Sequence, residues 1–153
     1  MIQFDHDDDA LFAQLDADLA VPAQQVQAAL DALGIEIVAW LQSLTAEMRP
    51  PPGSRLVVSA AGRQYLYTPP RYAGEGDREA HPGHWADVTG TLAAAYGHDV
   101  QMAGAGVWML ELVNSSAYAE ALEARDAYWV LDPVFDQPEV LALLDKHLNP
   151  LAS

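Results

Sequence analysis

The chain has 153 residues and contains 22 Asp and Glu against 7 Lys and Arg, which gives a formal net charge of −15 at neutral pH. That length fits one domain spanning residues 1–153, and a hydrophobic fraction of 51% suffices for a core without cross-links. The absence of cysteine excludes disulfides, thiolate zinc sites and cysteine nucleophiles, and the shortage of Lys and Arg argues against a nucleic-acid ligand.

The N-terminal residues are acidic where an export signal would be basic and then continuously apolar. The longest nearly uninterrupted apolar run, residues 103–110, falls short of the roughly 20 residues that a membrane helix needs. We therefore expect a cytoplasmic protein that does not interact with membranes.

Two helices are predicted in the N-terminal third. Acids at positions 7–9 suit a helix start, and Leu11, Leu15 and Leu19 recur with helical spacing, which predicts a first helix over about 8–20. A second helix is predicted from Pro22 to residue 48. Its apolar residues alternate steps of four and three: Val26, Leu30, Leu33, Ile37, Trp40, Leu44 and Met48. The alternative is that Gly34 ends this helix and that β-branched residues make 35–41 a strand.

The middle of the chain predicts strands and one helix. β-formers on both sides of Ala61-Gly62 predict a hairpin over 55–68, and the Pro, Gly and Arg content of 69–83 predicts a surface loop. A third helix, marked by apolar residues from Trp85 to Tyr96, would end at Gly97. Two strands, 99–103 and 107–113, would follow around the glycines at 104 and 106.

The C-terminal third predicts two helices with a strand between them. Residues 114–116 can cap a helix to about Arg125, and 127–131 is a short apolar strand. Asp136 and Glu139 have the spacing of a capping box for the last helix. Its buried positions would be Val140, Leu141, Leu144 and Leu148. The order ααββαββαβα predicts an α+β fold, with a mixed or antiparallel sheet of about five strands covered by helices.

No catalytic residue and no cofactor are predicted. The sequence lacks a nucleophile elbow and a phosphate-binding loop. His81, His84 and Asp87 would lie on one side of a helix start and form a weak candidate metal site, without the HExxH pattern or an identifiable fourth ligand. His98 lies about 20 Å beyond His84 along a continuous helix, so the two cannot share a metal through that helix.

The charge distribution favours a protein partner. Residues 1–48 contain nine acids and neither Lys nor Arg, whereas most basic residues lie in 49–78 among aromatic side chains. Aromatic and Arg residues are enriched at interface hot spots. The predicted partner-binding residues are Asp7, Asp8, Asp9, Asp16, Asp18, Tyr67, Arg71, Tyr72 and Arg78. The alternatives are an acidic surface that serves only solubility or salt adaptation, and tyrosines that only cover the core.

These observations predict a small acidic cytoplasmic module that binds a basic protein and inhibits or chaperones it. Toxin-neutralising immunity proteins of bacteria and secretion chaperones have a similar size and acidity, which is an analogy of composition. The alternative is a small enzyme or ligand-binding domain with a His, Asp and Arg site around residues 71–87. A homodimer is compatible with either function.

Overall fold

The computed structural model describes residues 2–7, 10–15, 21–47, 55–67, 90–117, 119–120 and 130–151. The strands are β1 (Ile2–Asp7), β2 (Ala10–Leu15), β3 (Arg55–Val58), β4 (Gln64–Tyr67), β5 (Tyr96–Gly104) and β6 (Val107–Asn114). The helices are α1 (Ala23–Glu47), α2 (Thr91–Ala94) and α3 (Pro138–Leu148), with short 3-10 turns at Val134–Asp136 and Asn149–Leu151. The predicted mixture of helices and an antiparallel sheet is confirmed.

β1 and β2 form an antiparallel pair, so the predicted helix over 8–20 is wrong at 10–15, and 8–9 and 16–20 lie outside the described residues. The register of the two strands places Asp7 opposite Ala10. In β2, Leu11 and Ala13 are almost fully buried and belong to the core, whereas on the other face Ala10 is buried, Phe12 is half-buried and Gln14 is exposed. The spacing of four between Leu11 and Leu15 is compatible with both a helix and a strand, and this ambiguity misled the prediction.

β1, β2, β6 and β5 form one antiparallel sheet in that order, and β3 and β4 form a separate two-stranded sheet. The predicted count of about five strands in one sheet is not confirmed. Within the predicted strand 127–131, Val130 and Leu131 are buried in a bend, and 127–129 lie outside the described residues. The strands predicted at 99–103 and 107–113 correspond to β5 and β6.

α1 is continuous through Gly34, as the seven-residue rhythm predicts, and the alternative strand at 35–41 is wrong. Its buried face lies against β5 and β6 of the sheet. The buried residues of this face are Val26, Leu30, Leu33, Ile37, Leu41 and Leu44. A Cβ atom at Gly34 would lie 2.6 Å from His98 Cγ and 2.9 Å from Leu110 Cδ1. Glycine therefore permits the close approach of the helix to the sheet.

By length and composition alone, the segment Ala23–Thr45 of α1 could also cross a membrane. In the folded chain its apolar face is part of the core, where it contacts the sheet and α3. A buried core helix satisfies the same criterion of length and hydrophobicity, so the feature is weak support for a membrane span.

The predicted hairpin at 55–68 is confirmed, with Gly62 at a φ of 75° in its turn. The third predicted helix is confirmed only in part. α2 covers Thr91–Ala94, and Tyr96 and Gly97 already belong to β5, so they do not end a helix. Trp85 and the loop 69–83 lie outside the described residues.

Residues 114–120 agree with a helix start after β6. The Ser116 amide donates to Asn114 Oδ1 over 3.0 Å, and 119–120 are helical. Asn114 Nδ2 also donates to the Leu92 carbonyl, which ties the end of β6 to α2. The rest of the predicted helix to Arg125 lies outside the described residues.

The last predicted helix is confirmed as α3, but its N-cap is one residue later than the predicted capping box implies. Gln137 is the N-cap, in an extended conformation and without a side-chain capping bond, and Asp136 belongs to the preceding 3-10 turn. Pro138 explains this start, because a residue before proline is driven out of the helical region. Val140 and Leu148 are buried as predicted. Leu144 is half-buried, and Leu141 is 50% exposed, which corrects its predicted burial.

Candidate functional site

The structure describes little of the predicted partner surface. Asp7 is the last residue of β1 and Tyr67 is the last residue of β4, each described in its backbone only. The other predicted partner residues lie outside the described residues: Asp8, Asp9, Asp16, Asp18, Arg71, Tyr72 and Arg78. The same holds for the metal candidates His81, His84 and Asp87. In the part of the chain that is described, no group of three His, Asp or Glu side chains is placed to hold a metal ion.

The described residues form a cleft of about 370 Å³ between α1 and β5. Its described lining consists of Gln24, Gln27, Ala28 and Asp31 from the helix and His98, Asp99 and Val100 from the strand. The helix residues recur at steps of three and four, so they share one face of α1. β6 contributes no described residue to the lining, and the cleft therefore lies on the outer side of β5, away from the rest of the sheet.

A histidine and an aspartate are paired at this cleft. His98 Nε2 lies 2.7 Å from Asp31 Oδ1, which is the length of a strong hydrogen bond. The His98 side chain is 18% exposed and lies beside Gly34, whereas the Asp31 side chain is 57% exposed. The aspartate thus fixes the imidazole while keeping much of its own carboxylate accessible to solvent.

The chemistry of the cleft suits cation binding better than bond cleavage. None of its described lining residues carries a hydroxyl, thiol or amine that could act as a nucleophile. Asp31 supplies a carboxylate, and Gln24 and Gln27 supply amide oxygens that can accept hydrogen bonds. Asp99 follows His98 in β5, so its side chain leaves the strand on the opposite face of the sheet. No Lys or Arg is among the described lining residues, so an incoming cation would meet the Asp31 carboxylate without a lysine or arginine that neutralises it there.

A second polar cluster has a structural role. Lys146 Nζ donates to both carboxylate oxygens of Glu36 over 2.6 and 2.8 Å, and His147 Nε2 lies 3.1 Å from the same carboxylate. These bonds connect α3 to α1. The Lys146 hydrogen bond lowers the pKa of Glu36 below its ordinary value, partial desolvation opposes this effect, and the His147 bond reinforces it. Because Glu36 is already neutralised, it is a poor candidate for attracting a partner.

β5 is an outer strand of the four-stranded sheet. Its residues from Gln101 to Gly104 are exposed, and the Met102 side chain is 57% exposed. Within the described ranges, no strand pairs with its outer edge. The cleft therefore lies beside a strand edge that no described strand covers.

Sequence reasoning missed the pairing of Asp31 with His98. The two residues are 67 positions apart, and neither lies in a recognisable motif. A signal was nevertheless present, because an isolated glycine inside a helical pattern often marks a close approach to another element. Gly34 marks the point at which α1 meets His98.

Comparisons with protein-family models, with curated proteins and with solved structures find no match for this chain.

Proposed function

We propose that the chain is a binding module for a basic protein, which it inhibits or chaperones. The observation that supports this function most directly is the cleft between α1 and β5. The Asp31 carboxylate lies there beside two amide side chains, with no Lys or Arg among the described lining residues, and Asp99 adds a carboxylate on the opposite face of β5. A Lys or Arg side chain of a partner would find hydrogen-bond acceptors and opposite charge there.

The charge of the whole chain supports the same function. In the described ranges, Lys and Arg occur only at Arg55, Arg63 and Lys146. The first two belong to the β3–β4 hairpin, and Lys146 is paired with Glu36. With a net charge of −15, the chain carries a negative field that attracts a basic protein over several ångströms before contact.

The alternative function, a small enzyme or ligand-binding domain, has one observation in its favour. The Asp31–His98 pair resembles the way a carboxylate orients a histidine for proton transfer. The predicted site at 71–87 lies outside the described residues, so this pair is the described feature on which the alternative rests. A small cationic metabolite that binds the purified protein with 1:1 stoichiometry would favour it over the protein-binding function.

Affinity capture from a lysate of the native host at low salt, followed by mass spectrometry, tests the proposed function. The expected result is one basic protein, bound stoichiometrically and released as salt rises. With that partner purified, the association rate should fall about tenfold or more between about 0.01 and about 0.15 M salt, because the Debye length shortens from about 30 to about 8 Å. Recovery of the chain alone, or an association rate that does not depend on salt, would contradict the proposal.

A further inference from the structure

The outer edge of β5 can accept another strand. In a ladder of two strands, every second residue directs its N–H and C=O groups away from its partner. β5 pairs regularly with β6 from Gly97 to Met102, with a shift of register between Met102 and Gly104, so the outward groups of 97–102 lie along its other side. None of the described residues forms a ladder there, and Gln101, Met102 and Ala103 are exposed. Extended peptides bind such edges by adding a strand through main-chain hydrogen bonds.

The cleft determines what such a strand would meet. An added strand would lie about 4.8 Å beyond β5, below the face of α1 that carries Gln24, Gln27 and Asp31. Its side chains would alternate between the two faces of the sheet. Those on the helix side would enter the cleft beside Asp31. Those on the opposite side would lie near Asp99, since successive residues of β5 point to opposite faces and His98 faces the helix.

We propose that an extended basic segment of the partner adds to the outer edge of β5, with one Lys or Arg beside Asp31 and its neighbour in sequence beside Asp99. The proposal rests on the proposed function and specifies how the basic partner docks. Opposite charge selects the occupant, because Asp31 and two amide oxygens lie on the helix side of β5, Asp99 lies on its other side, and no Lys or Arg is among the described lining residues. Two basic residues that are adjacent in the added strand fit this arrangement, because adjacent residues of a strand point to opposite faces and each face of the sheet carries one of the two carboxylates.

A second copy of this chain is a poorer occupant of the same edge. Pairing β5 with β5 would bring the Asp31 and Asp99 side chains of one copy near those of the other. Like charges at close distance oppose association, and each copy carries a net charge of −15. Self-association through β5 is therefore an outcome that would overturn the proposal.

The test uses the full chain labelled with 15N and a synthetic peptide as long as β5, rich in threonine, with two adjacent lysines at its centre. Amide chemical shifts and hydrogen exchange are followed during titration at low salt. Two further peptides serve as matched controls. One carries glutamates in place of the lysines. The other has N-methyl groups on every second amide and is made in two forms, one methylated at the odd-numbered amides and one at the even-numbered amides.

Two protein variants are compared with the wild type. The first is the double variant Asp31→Asn with Asp99→Asn. The second is the control Glu139→Gln in α3, which removes an exposed carboxylate outside the described lining of the cleft.

We expect the lysine peptide to shift and protect amides of residues 97–104. Methylation in one of the two alternations should weaken binding at least about tenfold, because it blocks several main-chain hydrogen bonds at once. The double variant should weaken binding at least about fivefold, and Glu139→Gln should change it less than about twofold. The glutamate peptide should not bind.

Four results would overturn the proposal: no binding of the lysine peptide, equal binding after methylation in both alternations, equal binding of the glutamate peptide, or protection of β5 by self-association without peptide. Binding of the captured basic partner distinguishes a wrong docking mode at β5 from a wrong proposed function. If that partner binds the wild type and the double variant equally well and remains sensitive to salt, the protein-binding function stands and the docking mode at β5 is wrong.

Discussion

Replacing Gly34 by alanine should destabilise the protein, although glycine-to-alanine changes inside helices usually stabilise. In an open position of α1, alanine would add about 1 kcal/mol of stability, because it restricts the unfolded chain and favours the helix. At Gly34, the added Cβ would lie 2.6 Å from His98 Cγ and closer still to Cδ2. Carbon atoms attract best at about 3.5–4.0 Å, so this contact is strongly repulsive.

Two routes can relieve this overlap, and both cost stability. If α1 moves away from the sheet, overpacking costs about 1–3 kcal/mol. If His98 rotates instead, it loses its 2.7 Å bond to Asp31, which contributes about 1 kcal/mol or more. Leu110 Cδ1, at 2.9 Å, also has to shift. The helix-propensity gain of about 1 kcal/mol offsets part of the overpacking cost of about 1–3 kcal/mol, so the expected net loss for Gly34→Ala is up to about 2 kcal/mol.

Urea unfolding of four proteins tests the cause as well as the size of this effect. They are the wild type, Gly34→Ala, His98→Ala and the double variant. Once the ring of His98 is removed, Gly34→Ala should become neutral or stabilising by up to about 1 kcal/mol, since Leu110 can move into the vacated space. A single variant about 1 kcal/mol more stable than the wild type, which is the gain expected at an open helix position, would refute the steric argument. So would a loss that persists unchanged in the His98→Ala background.

Three further outcomes are expected. Tyr96→Phe should lose about 1 kcal/mol in urea unfolding, because its buried hydroxyl donates to the Val130 carbonyl over 3.1 Å; an unchanged midpoint would contradict this. Leu33→Ala should lower the free energy of unfolding by about 2–5 kcal/mol, because Leu33 is fully buried. The control Ile35→Ala, at a site 56% exposed, should lower it by less than about 1 kcal/mol; similar losses for the two variants would contradict the assigned buried face of α1. The pKa of Glu36 is lowered in the folded protein. The ionised Glu36 therefore stabilises the fold at a pH above its ordinary pKa of 4.5, and this stabilisation is lost as the pH falls through the pKa of the folded state. The wild type should therefore exceed Glu36→Gln in stability at pH 6, and the difference should shrink at pH 3; a difference independent of pH would contradict the ion pair.

The sequence predicts elements well where a pattern is long and points to one period. The apolar rhythm of α1 extends over six turns, and neither Gly34 nor the β-branched Ile37 interrupts it. The β3–β4 hairpin and the turn at Gly106 are equally well marked by glycine. The N-terminal strands lack such a pattern, because the spacing of Leu11 and Leu15 fits both the helical and the strand period, and the acids before them suit a helix start.

The candidate site was harder to predict, because it depends on contacts between distant parts of the chain. In the sequence, Asp31 has the pattern of a solvent-exposed residue on the polar face of a helix. Only the fold shows that it lies beside His98. That no described strand pairs with the outer edge of β5 is likewise a property of sheet order, which the sequence does not specify. Local patterns do predict the strand itself, and the acidic surplus predicts the charge of its proposed partner.

Lys146 is the only lysine in the chain, and its ammonium holds Glu36 across the contact between α3 and α1. Reagents that acylate side-chain amines therefore modify a single side chain, and they remove the charge that neutralises Glu36. A fluorophore attached there would respond to the separation of the two helices. Conversely, coupling the protein to an amine-reactive sensor surface through Lys146 would disturb this contact, so binding measurements require attachment through an added tag.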